Sequence, residues 1–255
     1  MIRAAFFDID GTLLSFRTHQ VSPGTIQAFD ALHSQGILTF ISSGRPRQFI
    51  PDLPVSFSGH ITLNGCYCYV DSEVVLRRPI PLDESDRWLR HVAQNNIVSM
   101  AFTEDALWCT SLNEAALQLR QQLEFPMPPM RPALDMLGTE VFQFIAMQPP
   151  EDDAQTLALL PHCRMPRWHE AFSDIIHRQS SKAEGLECML RHFGISPQEV
   201  IAFGDGANDI EMLNFANIGV AMGNAAEPVK QQADYVTTSV DDEGILHALK
   251  DLKII

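Results

Sequence analysis

The 255-residue chain is poor in the features that would place it in several familiar classes. It has five cysteines, at positions 66, 68, 109, 163 and 188, and no CxxC pair among them. An odd count without that spacing argues against a disulfide framework or a cysteine zinc site and suits a reducing compartment. Cys66 and Cys68 would share one face of a strand and read as small buried hydrophobes. None of the nine histidines stands four residues from another, so no HExxH-type zinc helix is present. No apolar run approaches the ~20 residues of a membrane span. The first apolar segment is broken by acids within a few residues, unlike a secretory signal. A cytoplasmic location is therefore expected. Basic residues are outnumbered, 18 against 32 acidic, for a net charge of −14. Such a surface repels phosphate backbones and anionic lipids, so neither nucleic acid nor a membrane is an expected partner.

What the chain does have is an alternation of buried strands and helices at both ends. Residues 4–8 read as a buried strand. Ser22-Pro23 then marks a helix start, Ile26, Phe29 and Leu32 form its apolar stripe, and Gly36 ends it. Strands follow at 37–42 and 61–63, and "CYCYV" and "EVVLRR" around Asp71-Ser72 predict a hairpin. Between about residues 83 and 179 the pattern becomes α+β. It predicts helices over 83–95, 113–124 and 151–160, and strands at 98–103, 106–110, 141–147, 163–168 and 172–178. From Ser180 the strand–helix alternation returns. A capping box, "SKAE" at 181–184, opens a helix. Strands at 200–203, 219–222 and 235–238 follow, with helices over 224–233 and 243–252. The expected fold is α/β: a doubly wound, Rossmann-like parallel-sheet core from residues 1–82 and 180–255, with an α+β cap domain, 83–179, inserted between them.

Open parallel sheets hold ligands beyond the C-terminal ends of their strands. The first strand delivers Asp8 and Asp10 there, the second delivers Ser43, Gly44 and Arg45, and the strand at 200–203 delivers Asp205, Asn208 and Asp209. Lys182 stands at the first position of its helix, where the dipole disfavours a cation unless an anion is close. Three carboxylates together require a cation, and an all-oxygen donor set suits Mg²⁺. With Lys182 and a helix N-terminus, the group would cradle a phosphoryl group.

"DIDGTL", "SSGR", the isolated "SK" and "GDGAND" resemble, in order and spacing, the four motifs of the haloacid dehalogenase superfamily, and among them its Cof-type phosphatases with the second type of cap. "NAAEPVKQQADYV" and "DDEG" extend the resemblance toward the C-terminus. It implies a phosphatase acting on small phosphorylated substrates, with sugar phosphates the expected class. Asp8 would be the nucleophile, forming an aspartyl-phosphate. Asp10 would be the general acid and base, its carbonyl also a Mg²⁺ ligand. Ser43 would bond the phosphoryl oxygens; Ser42 is the rival, and adjacency to Gly44 favours Ser43. Lys182 would neutralise Asp8 and the phosphate. Asp205 would hold the metal, supported by Asn208 and Asp209. Gly44, Arg45 and Asn208 would lie against the substrate. The cap would act as a lid with hinges near Pro79–Pro81 and Gln179–Ser181.

Each residue also has a plainer reading. Asn208 with Glu211 makes a capping box, Asp209 a helix N-terminal acid, and Arg45 an ion-pair partner. Other functions compete too. "GDGAND" approaches GxGxxG, but Asp209 replaces the third glycine and would face a pyrophosphate. A phosphoacceptor signalling domain would need neither Asp10 nor a cap. A silent binding protein would be expected to lack one of the main acids. A phosphomutase of the same superfamily is the nearest enzymatic rival.

Overall fold

The computed structural model describes residues 1–114, 117, 128–167 and 169–255. Most of the expected helix over 113–124, the start of the Pro-rich loop 126–132, and Trp168 lie outside the described residues. The chain divides into two compact units. One is Met1–Arg45 with Phe49–Arg77 and Ser181–Ile255; the other is Pro46–Gln48 with Arg78–Ser180.

The strands in chain order are β1 (Ala4–Phe7), β2 (Leu38–Ser42), β3 (Gly59–Thr62), β4 (Tyr67–Val70), β5 (Glu73–Arg77), β6 (Val98–Phe102), β7 (Leu107–Cys109), β8 (Gln143–Met147), β9 (Cys163–Arg164), β10 (Ser173–His177), β11 (Val200–Gly204), β12 (Ile218–Ala221) and β13 (Tyr235–Val236). The described helices are α1 (Pro23–Ser34), α2 (Leu82–Asn95), α3 (Asp153–Leu159), α4 (Lys182–Phe193), α5 (Ile210–Phe215), α6 (Glu227–Lys230) and α7 (Gly244–Asp251).

The first unit is built on an eight-stranded sheet in the order β13-β12-β11-β1-β2-β3-β4-β5. From β13 to β3 all neighbours are parallel; the β4–β5 hairpin adds two antiparallel strands. Both faces of the central strands are covered, which is why "AAFF" and "VIAF" are continuous apolar runs rather than alternating ones. Phe7, Ile41, Phe203 and Val220 pack with Phe29 and Leu32 of α1 and Ile245 and Leu249 of α7. On the other face, Phe6, Phe40 and Ala202 pack with Leu186 and Met189 of α4 and Met212 and Leu213 of α5. Successive side chains leave a strand on opposite faces, so Phe6 and Phe7 serve different layers. Phe6 stacks on Phe40 and Phe7 on Phe203, at 4.5 and 5.0 Å between ring centres.

Register sets the position of the site. Phe7 is level with Phe203 on one side and Ile41 on the other. The three chains therefore leave the sheet at the same edge, carrying Asp8, Ser43 and Asp205 with them. The helix expected over 224–233 is shorter, Glu227–Lys230. Asn224 is drawn out of it: its amide donates to the Gly11 carbonyl at 2.9 Å and its oxygen accepts the Val240 N–H at 2.9 Å.

The second unit holds a five-stranded antiparallel sheet, β7-β6-β8-β10-β9. Trp88, Leu89 and Val92 of α2 pack with Ala101, Phe144 and Ile175 of that sheet. The strands expected at 163–168 and 172–178 are shorter, two residues and five. The last of the three helices expected in this unit starts with a 3-10 turn at Pro150–Asp152 before α3. No helix among the described residues is long and apolar enough to cross a membrane.

Candidate active site

The charge centre of the first unit is a buried ammonium. Ser181 caps α4, its hydroxyl accepting the Glu184 N–H at 3.1 Å, which places Lys182 at the first helical position. The Lys182 side chain is fully buried, and its Nζ donates to Asp8 Oδ1 at 2.6 Å and Asp209 Oδ1 at 2.5 Å. Oxygens of Asp8, Asp205 and Asp209 all lie within 4.8 Å of one another. Two glycines allow this convergence. Gly11 has φ +81°, and a Cβ there would fall 2.2 Å from Asp205 Oδ2. Gly65 has φ +86°, and its Cβ would strike the Ser181 carbonyl oxygen at 1.9 Å, at the very start of α4.

Asp10 stands apart from that trio. Arg45 holds it as a fork, Nε to Oδ2 at 2.8 Å and Nη2 to Oδ1 at 2.7 Å, and Arg45 Nη1 donates to the Phe49 carbonyl at 2.9 Å. The ion-pair reading of Arg45 thus describes its position in the structure. Its pairing with Asp10 raises the guanidinium's already high pKa. Ser43 is buried just beyond the end of β2, and its hydroxyl oxygen accepts the Arg45 N–H at 3.1 Å. Ser42 lies within the strand. The space a side chain would need at Gly44 is taken by Asn64, whose Oδ1 would be 3.2 Å from a Cβ. The same oxygen accepts from Asn208 Nδ2 at 3.0 Å.

A sequence profile for haloacid dehalogenase-like hydrolases matches residues 5–249. The chain belongs to this family. It is 30% identical over 253 residues to YkrA of Bacillus subtilis, provisionally named a phosphatase, covering 98% of this hydrolase and 97% of YkrA. It is 32% identical over its full length to a Streptococcus pyogenes protein provisionally named a bifunctional phosphatase/peptidyl-prolyl cis-trans isomerase, and spans about half, 54%, of that longer relative. Among solved structures, a haloacid dehalogenase subclass IIB sugar phosphatase superposes with a TM-score of 0.89 at 37% identity, covering 99% of this chain and 100% of the other.

The hydrolase's electrostatics fit a hard divalent cation. Burial pushes the Asp8 carboxyl up to about 8; Lys182 opposes that rise, and Asp209 and Asp205 add to it. Burial, with Asp209, likewise pushes Asp205 up to about 7. Burial alone would depress Lys182, but Asp209 and Asp8 overcome it and hold the ammonium above its usual range. One cation against three neighbouring carboxylates leaves negative charge uncompensated, and all the donors are oxygens.

Asp209 also holds the loop together. Its second oxygen accepts the N–H groups of Asp205 and Gly206 at 3.0 and 2.8 Å. The expected Asn208–Glu211 capping box is replaced by this arrangement: Asn208 reaches to Asn64 instead. The cause is Gly204, since a Cβ there would sit 2.5 Å from the Asp209 side chain. Three further residues complete the site. Thr12 Oγ1 donates to Asp205 Oδ1 at 3.3 Å, and Asn224 Nδ2 donates to Asp205 Oδ2 at 3.1 Å. Asn64, in the left-handed region at φ 52°, joins the loops after β2 and β11. Thr12 lies inside the "DIDGTL" motif, and Asn224 follows a buried strand on the edge where ligands bind. Those two positions were the available signal.

Proposed function

We propose that this hydrolase is a Mg²⁺-dependent phosphatase of small phosphomonoesters, sugar phosphates in particular, working through an aspartyl-phosphate. The observation that carries the reading is the buried Lys182 ammonium bonded to Asp8 and Asp209 beside Asp205. Asp8, Asp205 and the Asp10 carbonyl would hold the ion, with Asp209 in support. When bound, the cation would neutralise developing negative charge on the phosphoryl oxygens.

The remaining work falls to the chain. Lys182 fixes the Asp8 carboxylate and supplies positive charge to the transferred phosphoryl group. Asp8 attacks phosphorus, and the P–O bond to the leaving alcohol breaks. Asp10 gives its proton to that alcohol and afterwards takes one from the water that attacks the aspartyl-phosphate, whose P–O bond to Asp8 breaks, freeing inorganic phosphate and the Asp8 carboxylate. The Arg45 fork holds both oxygens of the Asp10 carboxylate and so fixes its orientation. The Ser43 oxygen already accepts from Arg45, which leaves its O–H free to donate to a phosphoryl oxygen. Gly44 and Asn208 line the same loops. The similarity to a sugar phosphatase supports the substrate class. The inserted unit, 83–179 in the sequence reading, is proposed to set specificity and exclude water.

The test is a phosphate-release screen over phosphorylated metabolites, with Mg²⁺ and with EDTA, on wild type and Asp8→Asn. Release that needs Mg²⁺ and vanishes in the variant is expected. Undiminished turnover by Asp8→Asn would refute the nucleophile, and turnover in EDTA would refute the metal.

A further inference from the structure

The segment after Asp10 carries an aromatic ring that phosphoryl chemistry does not use. Phe16 is 64% exposed. Among the described residues the other exposed phenylalanine is Phe49, whose carbonyl anchors Arg45. Both exposed phenyl groups therefore belong to segments attached to the site. For Phe16 the attachment is close. The Cβ position of Gly11 lies 2.2 Å from Asp205 Oδ2 and 2.6 Å from Phe16 Cε2. Those two atoms are thus within about 4.8 Å of each other, the sum of the two distances.

The turn that carries the ring is pinned by hydrogen bonds. Ser15 Oγ accepts the N–H groups of Arg17 and Thr18 at 3.0 and 3.1 Å, and donates to Asp241 at 2.7 Å. The His19 N–H closes the turn on the Ser15 carbonyl at 2.9 Å. An exposed apolar ring gains hydrophobic free energy only when something covers it. A turn that is already ordered leaves less backbone freedom to lose when a ligand covers the ring. One flat apolar face beside a cluster of charged oxygens matches a ligand with a charged end and a ring-shaped body.

We propose that Phe16 is a specificity-determining residue, a platform for the apolar face of a ring-bearing leaving group while the phosphoryl group lies at Asp8. The ligand class is a cyclic sugar phosphate, whose C–H face covers the phenyl ring. This inference rests on the phosphatase reading. A bare shield over Asp205 is the competing role, and it differs in outcome: a shield would affect every substrate alike, whereas a platform discriminates by the leaving group.

The experiment compares wild type, Phe16→Ala, Phe16→Leu and Phe16→Tyr on glucose 6-phosphate, p-nitrophenyl phosphate and acetyl phosphate, with Mg²⁺ present. In Phe16→Ala, KM for the two ring-bearing esters is expected to rise relative to acetyl phosphate by about fivefold, the effect of one aromatic contact. Phe16→Leu, which keeps bulk but loses the flat face, should retain most of that defect. Phe16→Tyr should restore the wild-type ratio. Equal losses on all three substrates, or an unchanged ratio in Phe16→Ala, would overturn the platform while leaving the phosphatase reading intact. A wild type that releases phosphate from none of them would overturn both.

Discussion

Replacing Lys182 by methionine tests the electrostatic logic of the site without requiring a substrate. Methionine keeps most of the stem volume and removes the ammonium. Two charge-assisted bonds, 2.6 and 2.5 Å long, are lost with it. Breaking a buried pair by removing one partner costs about 3–5 kcal/mol, because the remaining charge is left uncompensated. Asp8 offers an escape, since its carboxyl already titrates near 8. At pH 6 it is neutral and the cost falls mainly on Asp209, which keeps two backbone N–H donors. The destabilisation there should be about 1.5–3 kcal/mol, the range for hydrogen bonds to charged groups. At pH 9 the wild-type Asp8 is charged. Loss of the ammonium raises its pKa further, so the variant must hold that carboxyl unpaired or keep it protonated, and the cost grows toward ~3–5 kcal/mol, or roughly 10 °C in Tm at the usual sensitivity of a unit of this size.

The assay must see the correct unit. All three tryptophans, at 88, 108 and 168, lie within the inserted stretch of the chain. Tryptophan fluorescence therefore follows that unit, and far-UV circular dichroism follows both. Urea titrations in EDTA at pH 6 and pH 9 should show a circular-dichroism transition that moves in the variant, further at pH 9 than at pH 6, while the fluorescence transition stays in place. A destabilisation of the same size at both pH values would refute the assignment of opposing carboxylates around Lys182.

Four further outcomes are expected. Asp8 and Asp205 have folded pKa values near 8 and 7 against an unfolded 3.8, so the folded protein holds protons that the unfolded chain has released. Metal-free stability should therefore fall as pH rises from about 4 through 8; Lys182 stays charged across that range and adds no slope. Mg²⁺ binds the deprotonated carboxylates, so the Tm increase it produces should grow from pH 6 to pH 9; a shift that shrinks with pH would contradict the carboxylate assignment. Gly65→Ala should lower stability by about 1–3 kcal/mol, from the strained positive φ and the contact with the Ser181 carbonyl, and should weaken Mg²⁺ stabilisation by shifting Lys182; unchanged thermal and Mg²⁺ titrations would dismiss that contact. Asp10→Asn should slow hydrolysis of alkyl phosphates far more than of p-nitrophenyl phosphate, whose leaving group needs little protonation; equal losses would remove the acid role.

The central sheet was legible because its strands are buried on both faces and so stand out as unbroken apolar runs. Once their ends are known, parallel topology sends Asp8, Ser43 and Asp205 to one edge. Lys182 was legible for a different reason: a cation at a helix N-terminus is unfavourable alone and implies an anion nearby. Local pattern misled where a distant neighbour decides. "NDIE" is a sound capping box in isolation, but Gly204 opens space for Asp209 to take the loop amides instead. "NAAEPVKQQA" looks helical from its first residue, yet Asn224 is worth more bonded to Gly11 and Asp205, more than 200 and 19 residues away along the chain. Asn64 could not be placed by pattern, since its partner Asn208 is separated from it by the whole inserted unit.

The pairing of β1 with β11 has a consequence for how the molecule is made. Ala4 lies beside Val200, so the strand bearing the proposed nucleophile meets one of its two neighbours only after nearly 200 further residues have been added. At ordinary rates of synthesis, roughly 5–20 residues per second, the amino-terminal half-sheet waits on the order of tens of seconds with its β11-facing edge unpaired. The inserted unit, whose strands and described helices are contiguous in the chain, can be complete before then. The acidic pocket thus assembles late, and Asp8 meets its partner acids only after nearly 200 further residues have been made.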